Sequence, residues 1–168
     1  MTASTTFKRR NWTNARSLFS SLSWPFRHRD QLRRAMVDNG IDVALRERLM
    51  LAETQVNACR YCSQFHAREA LRAGLSEGET RALLAGELGN APPEELPAVL
   101  YAQHWAETDG HPDLAARQRV LAIYGPEQTE SIVVVLRMIS IGNLAGNTAD
   151  YWLYRLSFGR FGLTEAEQ

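Results

Sequence analysis

No run in this chain alternates apolar and polar residues over the length of a strand between turn signals, so the sequence offers no sheet. What remains is helix. Ala, Leu, Arg, Glu and Gln dominate nearly every segment, and these are strong helix formers. Punctuation divides the chain. A short helix is expected ahead of Pro25 and another from about Asp30 to Val37, stopped by Asn39-Gly40. Asp42 is placed to cap a helix running to about Asn57. The next begins near Cys59 and ends at Gly74. Ser76 to Glu79 has the capping-box pattern and opens a helix to about Ala85. After a loop marked by Gly86, Gly89, Asn90 and Pro92-Pro93, helices are expected at about Glu94–Glu107 and Asp113–Tyr124. Gly125-Pro126 then opens the longest, to roughly Leu156. The fold expected is all-α, a bundle of about seven or eight helices.

A chain of 168 residues favours one domain with room for a self-sufficient core. Its charge is zero overall but unevenly spread. Residues 1–34 carry eight basic side chains against the single acid Asp30, a charge of +7, which leaves −7 on the rest. We divide the chain into a basic arm, 1–28, and a helical domain, 29–168. A basic arm on an acidic body either packs on that body or a neighbouring subunit, or reaches for nucleic acid or anionic lipid. The body has no second basic patch to extend a nucleic-acid footprint, so packing is expected. The most apolar stretch, Ile132 to Leu144, contains Arg137 and reads as too short and interrupted to span a bilayer. It is apolar on nearly all sides, so it belongs in the bundle centre or a subunit interface. Gly142 and Gly146 share one face of it and let another helix approach; tight packing is the plainer reading and a ligand cleft the alternative.

The chain has two cysteines, three residues apart, too few for a secreted disulfide framework. No secretory signal is visible in the first residues, so a reducing cytoplasmic setting is expected. The chemistry concentrates between Glu47 and His66. Eleven residues separate Glu47 from Cys59, two separate Cys59 from Cys62, and three separate Cys62 from His66. On a helix, Cys59 and Cys62 are i and i+3, and Cys62 and His66 are i and i+4, so two thiols and an imidazole share one stripe. A helix N-terminus at the pair would stabilise a thiolate. An antiparallel return would bring Glu47 from the preceding helix to His66. Such a set contains what two-electron redox needs. An imidazole takes a thiol proton, a carboxylate orients the imidazole, and a second thiol traps a sulfenic acid as a disulfide.

Three duller readings were weighed. A single cysteine is usually core filler, but a pair at this spacing with a histidine one turn on is less so. A zinc site wants four ligands, and His28, His104 and His111 lie far along the chain with no second cysteine pair. No cofactor or metal is therefore expected. Glu53 competes with Glu47 as the carboxylate, but its position, six residues before Cys59, gives no clear route to His66.

The Glu47, Cys59, Cys62 and His66 spacing resembles that of the AhpD-like alkylhydroperoxidases of the carboxymuconolactone decarboxylase family. Weaker similarity extends over roughly residues 35 to 158: Gly74-Leu75-Ser76 with Glu79 and Leu83 to Gly86, Tyr101-Ala102 to His111, and Asn143 to Asp150. The resemblance implies an AhpD-like helical bundle assembled as a trimer or hexamer. It implies Cys62 as peroxidatic thiol, Cys59 as proton donor and resolving thiol closing a Cys59–Cys62 disulfide, and His66 and Glu47 as a proton relay. Hydroperoxides would be the substrate, with a lipoylated or thioredoxin-like dithiol protein as reductant. The better-studied members carry a histidine between the cysteines, where this chain has Tyr61. Members acting on carboxymuconolactone generally lack the cysteine pair, so the hydroperoxide branch is favoured over decarboxylation of a small organic acid or lactone. A redox sensor using the arm to bind a partner is the third rival.

Overall fold

The computed structural model describes residues 6–38, 40–164 and 167. Positions 1–5 of the arm, the turn residue Asn39 and residues 165, 166 and 168 lie outside them. Among the described residues there are seven helices and no strand. They are α1 (Ala15–Arg27), α2 (Arg29–Met36), α3 (Val43–Asn57), α4 (Arg60–Arg72), α5 (Glu77–Leu84), α6 (Leu96–Glu107) and α7 (Leu114–Leu156).

Helix α3 is the hub. Its Asp42 cap accepts from the backbone N–H groups of Ala44 and Leu45 at 2.9 and 3.2 Å, and its sides pack on α4, α5, α6 and α7. Leu49, Leu51 and Ala52 are fully buried there, together with Val99, Ile132, Val135 and Leu136. Each large aliphatic of this core contributes about 1.5–3 kcal/mol. A helix enclosed on so many sides must also bury charge, and it does so in pairs. The Arg48 guanidinium reaches Glu79 at 2.6 Å and Glu95 at 2.9 Å. The capping box at α5 is thereby half-made. Ser76 accepts from the Glu79 N–H at 3.1 Å, while the Glu79 carboxylate goes to Arg48 instead of back to the cap.

Helix α7 is two helices meeting at a kink, where helices at 113–124 and 125–156 were expected. Gly125 alone breaks it, at φ 72°, before Pro126 resumes the turn. Its length and an 18-residue window of mean hydropathy 1.4 are enough for a bilayer span, so the shorter apolar run read from the sequence understated it. Here Val135, Leu136 and Ile139 enter the bundle core, and the helix also carries buried Asn143, Asn147 and Asp150. It is built as the long central helix of a bundle.

Helix α1 runs through Pro25, although a helix ending before that proline was expected. The proline lies in its last turn, where a lost carbonyl bond disrupts little. The segment before α1 is not free. Phe7 stacks edge-on against Tyr151 with ring centroids 5.5 Å apart. The Trp12 N–H donates to Thr148 Oγ1 at 3.0 Å. Five of the eight basic residues in 1–34 meet carboxylates: Arg9, Arg10, Arg29, Arg33 and Arg34.

Candidate active site

The cysteine pair sits at the start of α4. Ala58, just before it, adopts the left-handed region at φ 52°, a conformation that costs a non-glycine residue about 1–2 kcal/mol. That reversal turns the chain from α3 into α4 and makes Cys59 the N-cap. Its Sγ accepts from the Cys62 backbone N–H at 3.3 Å, so a thiol does what a serine or aspartate usually does at this position.

The two sulfurs differ in access. Cys59 is fully buried and Cys62 half-buried. They differ in charge too. A hydrogen bond from the Cys62 thiol draws Cys59 down to about 7. Burial opposes that shift; the N–H groups of Cys62 and Tyr61 assist it, and the nearby charge of Asp150 opposes it. The same hydrogen bond, with burial and the Cys59 charge behind it, pushes Cys62 up. The inner sulfur is thus the easier of the two to ionise.

Cys62 opens into a cavity of about 360 Å³ whose wall includes Met36, Met50, Phe65, His66, Met138 and Gly142. Every methionine except Met1 lies on it. No lysine or arginine does. A larger groove of about 1010 Å³ is lined by Arg34, Asp42, Glu127 and Glu130 and holds neither cysteine. His66 reaches the thiol's cavity one turn after Cys62. Its Nδ1 lies 2.8 Å from Glu47 Oε2. A carboxylate only accepts, so Nδ1 carries a proton, and in the neutral ring Nε2 is the atom free to take one. Glu47 is buried, and its other oxygen accepts from Arg46 Nε at 3.1 Å. The four residues singled out from the sequence thus stand in one place, with Glu47 and not Glu53 on His66.

On the far side of the pair, α7 passes so close that a Cβ at Gly146 would lie 2.7 Å from Cys59 Sγ. Gly146 therefore serves close packing, whereas Gly142 lines the cavity. The same α7 face carries Ser140, Asn143, Asn147 and Asp150, at intervals of three and four residues. Ser140, Asn143 and Asn147 meet Glu53, Thr54 and Asn57 of α3 in a polar seam, and Asp150 continues it toward Arg9, Arg60 and Tyr61. Thr54 donates to Asn143 at 3.1 Å, and the Asn147 amide donates to the Asn57 carbonyl at 2.8 Å. Ser140 Oγ lies 2.5 Å from Glu53 Oε1. Glu53 is fully buried, its Oε2 has no partner, and burial pushes it up to about 8 against the Ser140 contact and the charges of Arg10 and Arg137. A neutral carboxyl suits this site, because Ser140 also lies 2.8 Å from the Leu136 carbonyl and its one proton can go there.

Of this seam, the sequence marks Asn143 to Asp150 only as part of the family resemblance and Glu53 only as a rival of Glu47. Its signal is four polar residues at helical spacing along an otherwise apolar stretch. Among the described residues, no three His, Cys, Asp or Glu side chains gather as a metal-binding group.

Comparison with known proteins adds one finding. No curated protein and no solved structure matches the chain. The model of the carboxymuconolactone decarboxylase family matches residues 25–108, from the end of α1 through α6. That span includes Glu47, Cys59, Cys62 and His66 and stops before α7. A match over half the chain, on an all-helical bundle, places it: the protein belongs to the carboxymuconolactone decarboxylase family.

Proposed function

We propose that this protein is an alkylhydroperoxidase-like thiol peroxidase, reducing hydroperoxides through the Cys59–Cys62 pair. The observation that carries the reading is the division between the two sulfurs. One faces an apolar cavity beside a carboxylate-oriented imidazole, and the other waits behind it, buried and easier to ionise.

The chemistry runs as follows. His66 Nε2 takes the Cys62 proton, and the Glu47 carboxylate stabilises the imidazolium. The Cys62 thiolate attacks the outer peroxide oxygen. The O–O bond breaks, Cys62 becomes a sulfenic acid, and the departing alkoxide takes the proton from His66 to leave as an alcohol. The Cys59 thiolate then attacks the Cys62 sulfur, expelling hydroxide, which is protonated to water, and a disulfide forms. One hydroperoxide and two thiols yield an alcohol, water and a disulfide. A dithiol protein, lipoylated or thioredoxin-like, returns the pair to thiols in the reducing cytoplasm. Exposed Phe19, Leu22 and Phe26 on one side of α1 support assembly into trimers or hexamers. Decarboxylation of a small organic acid is the weaker reading, because the cavity wall carries no lysine or arginine to hold a carboxylate and does carry the redox-competent Cys62.

Replacing Cys62 with Ser should abolish hydroperoxide consumption in the presence of a dithiol. Consumption at the wild-type rate in that variant would refute the assignment.

A further inference from the structure

The arm reaches the redox turn through one buried carboxylate. Asp150, fully buried on α7, lies beside Cys59 and has both oxygens engaged. Oδ2 accepts from Arg9 Nη1 at 2.7 Å. Oδ1 accepts from the Tyr61 hydroxyl at 2.8 Å and from Arg60 Nη2 at 2.5 Å. Tyr61 is the residue between the two cysteines, and its ring lines the Cys62 cavity.

Arg9 is itself built in. Its side chain is 4% exposed. Its remaining donors go to Asn147 Oδ1 at 3.2 Å, to Glu167 Oε2 at 3.0 Å and to the Gly162 carbonyl. Phe7 packs on its guanidinium at 4.7 Å. The next residue, Arg10, donates to the Ala106 carbonyl at 2.8 Å and to Asn57 at 3.3 Å. The arm therefore grips both the residue that supports the turn from α7 and one that precedes it on α3.

We propose that Arg9 is a positioning residue for the Cys59–Cys62 pair: acting through Asp150, it cancels the buried charge beside Cys59 and aims that carboxylate at Tyr61 and Arg60. The proposal rests on the redox reading of the pair. The charged and titratable groups around Cys59 are Cys62, Arg60 and Tyr61 on α4, Glu53 on α3, Asp150 on α7, and Arg9 and Glu167 behind Asp150. In the Asp150 cluster, Arg9 and Arg60 balance Asp150 and Glu167. Without the Arg9 charge the cluster is one unit negative, and a thiolate at Cys59 forms against it.

The test is a titration of the reduced, full-length protein, following thiolate absorbance with pH in Arg9→Gln, Arg9→Lys and the double variant Arg9→Gln/Asp150→Asn. The first thiolate step lies at about 7 in wild type. It should move up by about one pH unit in Arg9→Gln, stay in Arg9→Lys, and return close to the wild-type value in the double variant, where the Asp150 charge that Arg9 cancelled is gone with it. A step that moves equally in the glutamine and lysine variants, or in neither, overturns the proposal. If Arg9→Gln does not fold, Asp150→Asn and the double variant decide: the Arg9 charge should hold the step below wild type in the first and release it in the second, where amides replace both members of that buried pair. Equal steps in those two variants overturn the proposal. Peroxide-driven disulfide closure in Arg9→Gln should be slow at neutral pH and recover in alkali, whereas mere structural damage would slow it at every pH. The titration uses no peroxide, so it judges Arg9 even if the thiols prove not to turn over.

Discussion

Glu47 and Glu53 lie on the same helix, within two turns of each other, and serve opposite flanks of the cysteine pair. Glu47 stands between Arg46 and His66, both donors, and works toward the cavity. Glu53 points into the polar seam, has one close hydroxyl partner and a free oxygen, and is pushed up to about 8 by burial. The same side chain is thus an acceptor anchored for proton transfer in one place and a neutral buried acid in the other. What separates them is the supply of donors and water, not distance from the thiols. The outer flank is arranged for rate. The inner flank is arranged to hold α3, α7 and the arm in register under Cys59.

The largest effect on rate is expected on the outer flank. Replacing His66 with Ala should slow peroxide-driven disulfide formation about 100-fold at neutral pH, with little change in thermal midpoint. A comparable loss of stability would erase the division between the flanks. Next comes Glu53→Gln. A carboxyl whose folded value of about 8 exceeds its unfolded value near 4 favours folding fully below the lower value. That contribution is lost as pH rises through the upper one. Denaturant unfolding should therefore show the Gln variant more stable than wild type at pH 9, on the order of 3–5 kcal/mol, with almost no difference at pH 4. Equal stability at both pH values would mean that Glu53 is not a protonated core acid.

Gly146 joins the flanks. An alanine there meets Cys59 Sγ at 2.7 Å, so it should destabilise the fold by about 1–3 kcal/mol and slow closure of the disulfide together. A change in only one of these would show that the close approach does not couple them. The smallest effect is expected for Glu47→Gln. The amide still orients His66 but no longer stabilises its cation, for a rate loss of about tenfold, or about 1.4 kcal/mol.

The sequence made the outer flank legible because its residues are close in the chain and their spacing is helical. Cys59, Cys62 and His66 share one stripe whatever the tertiary fold, and Glu47 needed only a tight α3–α4 reversal. The starts of α3 and α5 were readable from Asp42 and Ser76, whose side chains do cap. The inner flank was not readable in the same way. Asp150 lies 90 residues beyond Arg60, and Arg9 lies 141 residues before Asp150. No local rule pairs positions so far apart. Glu53 looked like a rival of Glu47 because the sequence does not say which face of α3 meets α7. The break at Gly125-Pro126 was readable because it is local: Gly125 leaves the helical region at φ 72° and Pro126 starts the next helix.

The central claim is that Cys62 takes the oxygen and Cys59 closes on it. The most direct test is intact mass and free-thiol count after one equivalent of peroxide, in wild type and in Cys59→Ser. The account predicts that wild type loses both thiols to an internal disulfide, and that the variant carries a trappable sulfenic acid on Cys62. Two thiols left free in wild type, or a variant whose Cys62 stays reduced, would contradict it.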